Sequence, residues 1–160
     1  VSNVEDAIAD VRAACQRVVT AEDAQIKTRD ARDAAFAADW PQLHPLGFKL
    51  IAAQVGDSIS ASTLRSMARE LKPRPPRGPR FSPSISAEQQ AALRRLREAC
   101  VAWAAAEQEY NDALNARYYA IRAAWPVLAA LGPAKIARSV GDRLVGESTI
   151  RQATGDLRRA

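Results

Sequence analysis

Two short stretches of this 160-residue chain carry side chains suited to recognition. Ser62, Arg65, Ser66 and Arg69 are spaced three and four apart, and so are Ser148, Arg151 and Gln152. At that spacing each set falls on one face of a helix. A guanidinium fork matches the two acceptors of a guanine edge or the oxygens of a phosphate, and hydroxyl and amide groups address other base edges. Lys49, Lys135, Arg138 and Arg143 stand where phosphate contacts would be expected. Arg74, Arg77 and Arg80 lie between the two stretches.

Bond-making chemistry has no comparable set. No paired carboxylates, no nucleophile with its base and no phosphate-binding glycine loop stand out, so an enzyme is not expected. The single His44 has no ligand-spaced partner and reads as a surface or packing residue. Cys15 and Cys100, 85 residues apart, give neither a zinc cluster nor a disulfide framework and read as small buried hydrophobes. No metal and no cofactor are expected.

The elements that position these residues are written twice. A shift of 85 places Cys15 on Cys100, Glu22 on Glu107, Arg32 on Arg117 and Trp40-Pro41 on Trp125-Pro126. The same shift superposes Leu46-Gly47 on Leu131-Gly132, Ile51-Ala52 on Ile136-Ala137, and Val55-Gly56-Asp57 on Val140-Gly141-Asp142. One extra residue in the second copy then brings Ser62-Thr63-Leu64-Arg65 onto Ser148-Thr149-Ile150-Arg151. An internal repeat of this kind sets the organisation of the chain. Residues 1–72 form repeat 1, residues 73–85 a linker rich in Pro and Arg, and residues 86–160 repeat 2. The prolines of the linker forbid helix and favour an extended path.

Each repeat opens on a long helical stretch, about 4–38 and 87–124, without Gly or Pro inside. Leu93, Leu96, Cys100, Trp103 and onward to Ile121 step alternately by three and four, as do Ile8, Val11, Cys15, Val18 and onward to Phe36. That is a heptad seam, and such a helix cannot hide its apolar face alone. The expected fold is all-α: two copies of a long helix followed by a helix-turn-helix unit, the long helices packed antiparallel as a coiled coil. An antiparallel seam about residues 27 and 112 would pair Glu22 with Arg117 and Glu107 with Arg32. Trp-Pro is expected to end or kink each long helix. Gly47 and Gly132 suit helix stops, with Pro133 in the first turn of the next helix.

After each Leu-Gly pair comes a short helix, a turn and a second short helix. Gly56 and Gly141 end the first, Ser60 and Gly146 cap the second, and Leu64, Met67 or Ala68, and Leu71 face inward. Here I-A-x-x-V-G and the later S-T-[LI]-R resemble the helix-turn-helix DNA-binding family, particularly small actinobacterial and phage proteins with a long Ala/Arg/Glu-rich helix before the motif. The resemblance covers both repeats. It implies that the second short helix enters the major groove, with Ser62, Arg65 and Arg69 in repeat 1 and Ser148, Arg151 and Gln152 in repeat 2 at the interface. The turns depart from the family pattern, with three and four residues between the glycine and the cap instead of about one. The linker segment Pro76-Arg77-Gly78-Pro79-Arg80 is similar to an AT-hook, with Pro79 interrupting the Arg-Gly-Arg core; the other reading is a plain spacer.

Composition agrees with helices: Ala fills 34 positions, whereas Gly and Pro together fill 16 and aromatics nine. The net charge of +5 suits an anionic partner. Residues 1–72 carry nine basic and ten acidic side chains, the linker three arginines, and residues 86–160 eleven basic and eight acidic, which makes repeat 2 and the linker the expected anchors. No run approaches 18 apolar residues and no basic-then-apolar leader opens the sequence. The expectation is a cytoplasmic, nucleoid-associated protein that takes double-stranded DNA as its partner, as a transcription regulator or architectural protein, with no membrane partner. A homo-dimer through spare seam surface, or a host protein bound by an adaptor with degenerate helix-turn-helix units, is the alternative partner.

Overall fold

The computed structural model describes residues 3–56, 58–76 and 84–157. Among them the chain forms α-helices joined by turns, with no strand. The helices are α1 (Val4–Leu43), α2 (Phe48–Val55), α3 (Ala61–Met67), α4 (Ala87–Leu128), α5 (Pro133–Val140) and α6 (Glu147–Thr154). Short 3-10 turns, His44–Leu46 and Ala129–Leu131, come after the two long helices.

Both long helices start on side-chain caps. Asn3 Oδ1 accepts from the backbone N–H of Asp6 at 2.8 Å, and Glu5 and Asp6 place negative charge in the first turn of α1. Before α4, Ser86 Oγ accepts from Gln89 N–H at 3.1 Å while Gln89 Oε1 accepts from Ser86 N–H at 3.0 Å, a reciprocal capping box. At the far ends Trp-Pro does not end either long helix. Pro41 and Pro126 lie inside α1 and α4, which continue to Leu43 and Leu128. Each proline removes one ladder hydrogen bond near the helix end. Burial of the leucine two residues beyond each proline outweighs that loss, since Leu43 is 0% and Leu128 1% exposed.

The chain divides into two compact units, a central one of Gln25–Ala106 and a terminal one of Val1–Ala24 with Glu107–Ala160. Each therefore takes residues from both sequence repeats. In the central unit Phe36, Trp40 and Leu43 of α1 and Leu93, Leu96 and Cys100 of α4 form one core with Ile51 and Val55 of α2 and Leu64 of α3. Contacts at Gln42–Gln89, Asp39–Arg95 and Arg32–Trp103 run in opposite chain directions, so the two long-helix segments are antiparallel there. In the terminal unit Ile8, Val11 and Cys15 of α1 and Ile121, Ala124 and Leu128 of α4 enclose Ile136 and Val140 of α5 and Ile150 of α6.

The expected register pairs are replaced by others. Arg32, buried to 5% exposure, pairs with its neighbour Asp33 at 2.7 Å and lies 4.4 Å from the Trp103 ring centroid. Glu22 is exposed and joins no ion pair among the described residues. The ion pairs between long-helix segments are Arg17–Glu109 at 2.9 Å in the terminal unit and Arg95–Asp39 at 2.7 Å in the central one. Cation–π contact with Trp103 and a flanking carboxylate satisfy Arg32 without the distant glutamate.

Burial pushes both cysteine thiols above their ordinary pKa, opposed by the charge of Arg117 at Cys15 and of Arg32 at Cys100. The folded chain then holds thiol protons that the unfolded chain releases, so stability is intact below the ordinary thiol range and falls as pH rises through it. The urea midpoint of the wild type should therefore drop more steeply above about pH 9 than that of a Cys15→Ala/Cys100→Ala chain. Parallel pH profiles would remove the thiols from the account.

Candidate nucleic-acid interface

In the central unit α2 and α3 pack on each other. Gly47, at φ 78° and ψ 155°, starts α2 in a conformation that L side chains rarely adopt. Gly56, at φ 97°, ends α2 and donates its N–H to the carbonyl of Ala52 at 3.0 Å. Ser60 then caps α3, its Oγ accepting from Thr63 N–H at 3.1 Å. The long turn between the helices buries Ile59, and the corresponding turn between α5 and α6 buries Val145. Those extra turn residues are thus an apolar plug under each pair of short helices, a role that turn length alone did not signal.

The faces of α3 are cleanly divided. Leu64 is buried and Met67 half-buried, while Ser62, Arg65 and Ser66 are exposed; α3 ends at Met67, so the buried Ala68, the exposed Arg69 and the half-buried Leu71 lie beyond it. On α6, Ile150, Ala153 and Thr154 are buried, with Ser148, Arg151 and Gln152 exposed. Ser62, Arg65 and Ser66, and Ser148, Arg151 and Gln152, stand on the outer faces of their helices, whereas Arg69 lies in the turn after α3, which ends before the spacing would place that residue on it.

Their electrostatic surroundings differ. Arg151 is held by Glu147 one turn before it, its Nε donating to Oε1 at 2.7 Å. Arg65 and Arg74 pair with no carboxylate among the described residues; Arg65 lies 5.7 Å from the Phe48 ring centroid, and Arg74 Nη2 donates to the Arg69 carbonyl at 3.1 Å. The central unit, residues 25–106, carries thirteen basic and seven acidic side chains and presents the less compensated arginines. Lys49 on α2, Lys135 and Arg138 on α5, and Arg143 in the α5–α6 turn are all exposed. The Arg138 Nε leans on its own helix at the Ala134 carbonyl, 3.4 Å away. Arg77 and Arg80, and with them most of the AT-hook-like segment, lie outside the described residues.

Two arginines that motif spacing did not single out hold the short helices in place. Arg12 donates from Nε to the Val140 carbonyl at 3.1 Å and from Nη2 to Ser139 at 2.6 Å, closing the end of α5. Arg97 donates to the Gln54 carbonyl near the end of α2. Arg12 and Arg97 are related by the same 85-residue shift, so the signal was present in the repeat. Cations bonded to helix C-terminal carbonyls satisfy orphan acceptors and oppose the dipole. Both sites border water, so Arg12→Met and Arg97→Met should each lower stability by only about 1 kcal/mol. Urea denaturation reads this directly, and unchanged midpoints would assign the two arginines no such role.

Arg122 closes the end of α6 in a related way, donating to the Ala153 carbonyl at 3.0 Å and to both carboxylate oxygens of Asp156 at 2.7 and 2.9 Å. The hydrogen bonds from Arg122 hold the Asp156 carboxyl below its ordinary pKa. Tyr118 accepts from Arg122 at 3.2 Å, and Tyr119 beside it is 67% exposed. His44 packs at 6.0 Å from the Trp40 ring, and no group of metal-ligating side chains occurs among the described residues. No described helix is long and apolar enough to cross a membrane.

The fold and site define an all-α protein with two long helices and two pairs of short ones, each pair exposing polar side chains on its second helix. No protein-family model, no curated protein and no solved structure matches the chain.

Proposed function

We propose that the chain binds double-stranded DNA through two helix-turn-helix units, α2–α3 and α5–α6, as a regulator or architectural protein. The observation that carries this reading is the division of α3 and α6. Each buries one apolar face against its preceding short helix and a long-helix core, and exposes serines, arginines or a glutamine on the other. A helix so mounted presents hydrogen-bonding groups to base edges, with Lys49, Lys135, Arg138 and Arg143 supplying backbone contacts. The 85-residue repeat and the corresponding roles of Arg12 and Arg97 favour a tandem duplication, with the long helices as an antiparallel coiled coil. Two unlike recognition helices in one chain read an asymmetric bipartite site, and their linkage raises affinity by effective concentration.

Binding of a labelled random duplex across a salt series tests this reading. Displacement of counterions by several arginines and lysines gives a steep fall of affinity with salt, linear on logarithmic axes. Absence of binding even at low salt would overturn it. The surviving alternative would be a helical adaptor for a protein partner, which the half-neutralised Arg151 on α6 favours.

A further inference from the structure

The first residues of the linker are folded against the central unit. Trp40 Nε1 donates to the Pro73 carbonyl at 2.9 Å, and Arg74 reaches back to the Arg69 carbonyl just beyond α3. Trp40 stacks on Phe48, with centroids 5.8 Å apart and planes 20° from parallel, and the guanidinium of Arg65 lies over that same Phe48. These anchors leave an open cleft of about 400 Å³ lined by Gly47, Phe48, Arg65, Arg74, Pro75 and Pro76.

The lining has a definite chemistry. Two arginines line it from different segments, α3 and the linker, and among the described residues that line it none is acidic. Phe48, Pro75 and Pro76 add apolar walls that lower the local dielectric and strengthen a charge-assisted hydrogen bond. The start of α2 at Gly47 and Phe48 has no side-chain cap, which adds the positive end of a helix at the rim. Two positive charges lining one cleft disfavour each other, and an anion bound between them offsets that repulsion.

We propose that this cleft is a phosphate site in which Arg65 and Arg74 clamp one phosphate group between α3 and the linker. The linker is then part of the binding surface, and Arg65 is committed to the phosphate instead of a base edge. Ser62 and Ser66 remain as the base-facing set of α3, with Arg69 in the turn beyond it. The shared chemistry has two sources, a backbone phosphate of DNA and a free phosphorylated compound. Only the first rests on the DNA-binding reading.

The test uses the full chain, labelled with 15N so that the arginine Nε–Hε signals are resolved. Inorganic phosphate is titrated against sodium chloride at matched ionic strength, and a random duplex is bound across a salt series, for wild type, Arg74→Ala and, as a control on an exposed lysine of α1, Lys27→Ala. Saturable shifts of the Arg65 and Arg74 signals with phosphate but not chloride, with the Arg65 shift lost in Arg74→Ala and kept in Lys27→Ala, establish the site with free phosphate as a ligand. If Arg74→Ala weakens duplex binding about tenfold for every sequence alike and lowers the salt slope by about one, the site holds a backbone phosphate. Phosphate shifts without duplex binding leave the site standing and remove the DNA reading. Duplex binding by Arg74→Ala with wild-type affinity and slope, together with phosphate shifts no larger than those from chloride, overturns the site and leaves the DNA reading standing. Arg74 is exposed, so matching thermal melts of variant and wild type confirm that folding is not what has changed.

Discussion

Trp40→Ala should lower the unfolding free energy by about 3–5 kcal/mol, the largest stability effect expected of any single change in the chain. Trp40 is 2% exposed and lies at the centre of an aromatic cluster, 5.2 Å from Phe36 and 5.8 Å from Phe48 between ring centroids. Truncation to a methyl group leaves a cavity that these flat side chains cannot close by small movements. It also removes the donor to the Pro73 carbonyl, so the linker loses its anchor to the central unit. Trp40→Phe weights the two contributions differently: it keeps most of the apolar burial while deleting the hydrogen bond and leaving only a small void, and should cost about 1–2 kcal/mol. Urea unfolding monitored by far-UV circular dichroism measures both. A loss below about 1 kcal/mol for Trp40→Ala would mean that the cluster does not hold the central unit together.

The largest functional effect is expected at α6. Arg151→Ala should relax sequence preference at one base position and weaken the preferred site by about 1–3 kcal/mol, while binding to other sequences changes little. Both Nε and Nη2 of Arg151 donate to Glu147 Oε1, which restricts the guanidinium and must be given up, at least in part, for a bidentate pair with a base. Glu147→Gln should then raise affinity for all sequences modestly, by removing a negative charge from the face that meets phosphate. Competition binding against a panel of single-base variants reads both effects. A uniform loss across the panel for Arg151→Ala would place this arginine on the backbone and take α6 out of direct base readout.

Much of the helical framework was legible because it depends on apolar spacing alone. Val11, Cys15, Leu96 and Cys100 step along their helices by three and four, and each is fully buried. The outward faces of α3 and α6 were legible for the same reason, since Leu64 and Ile150 fix which side is inward. What failed was local propensity set against burial. Trp-Pro reads as a helix end or kink, and neither helix ends there, since the leucines beyond each proline are buried deeply enough for it to continue.

Polar partnerships were the least legible part. Arg32 was matched to a distant glutamate by symmetry, whereas an aromatic ring and the adjacent aspartate satisfy it locally. Ser86 and Gln89 carry a readable capping signature, and Arg12 and Arg97 coincide under the repeat, but neither pattern is apolar and neither stands out from spacing alone. The cleft at Phe48 had no signal in the sequence. It depends on the path of the linker, which a tryptophan indole and one arginine side chain determine.

The central claim is that both short-helix pairs read DNA, each its own half-site. Selection of duplexes from a random pool by the full chain, with sequencing of those retained, tests it most directly. The expected result is a bipartite site whose two halves differ in sequence and stand at a fixed spacing, with Arg151→Ala blurring one half only. A single continuous motif, or a retained pool no different from the input, would contradict the account.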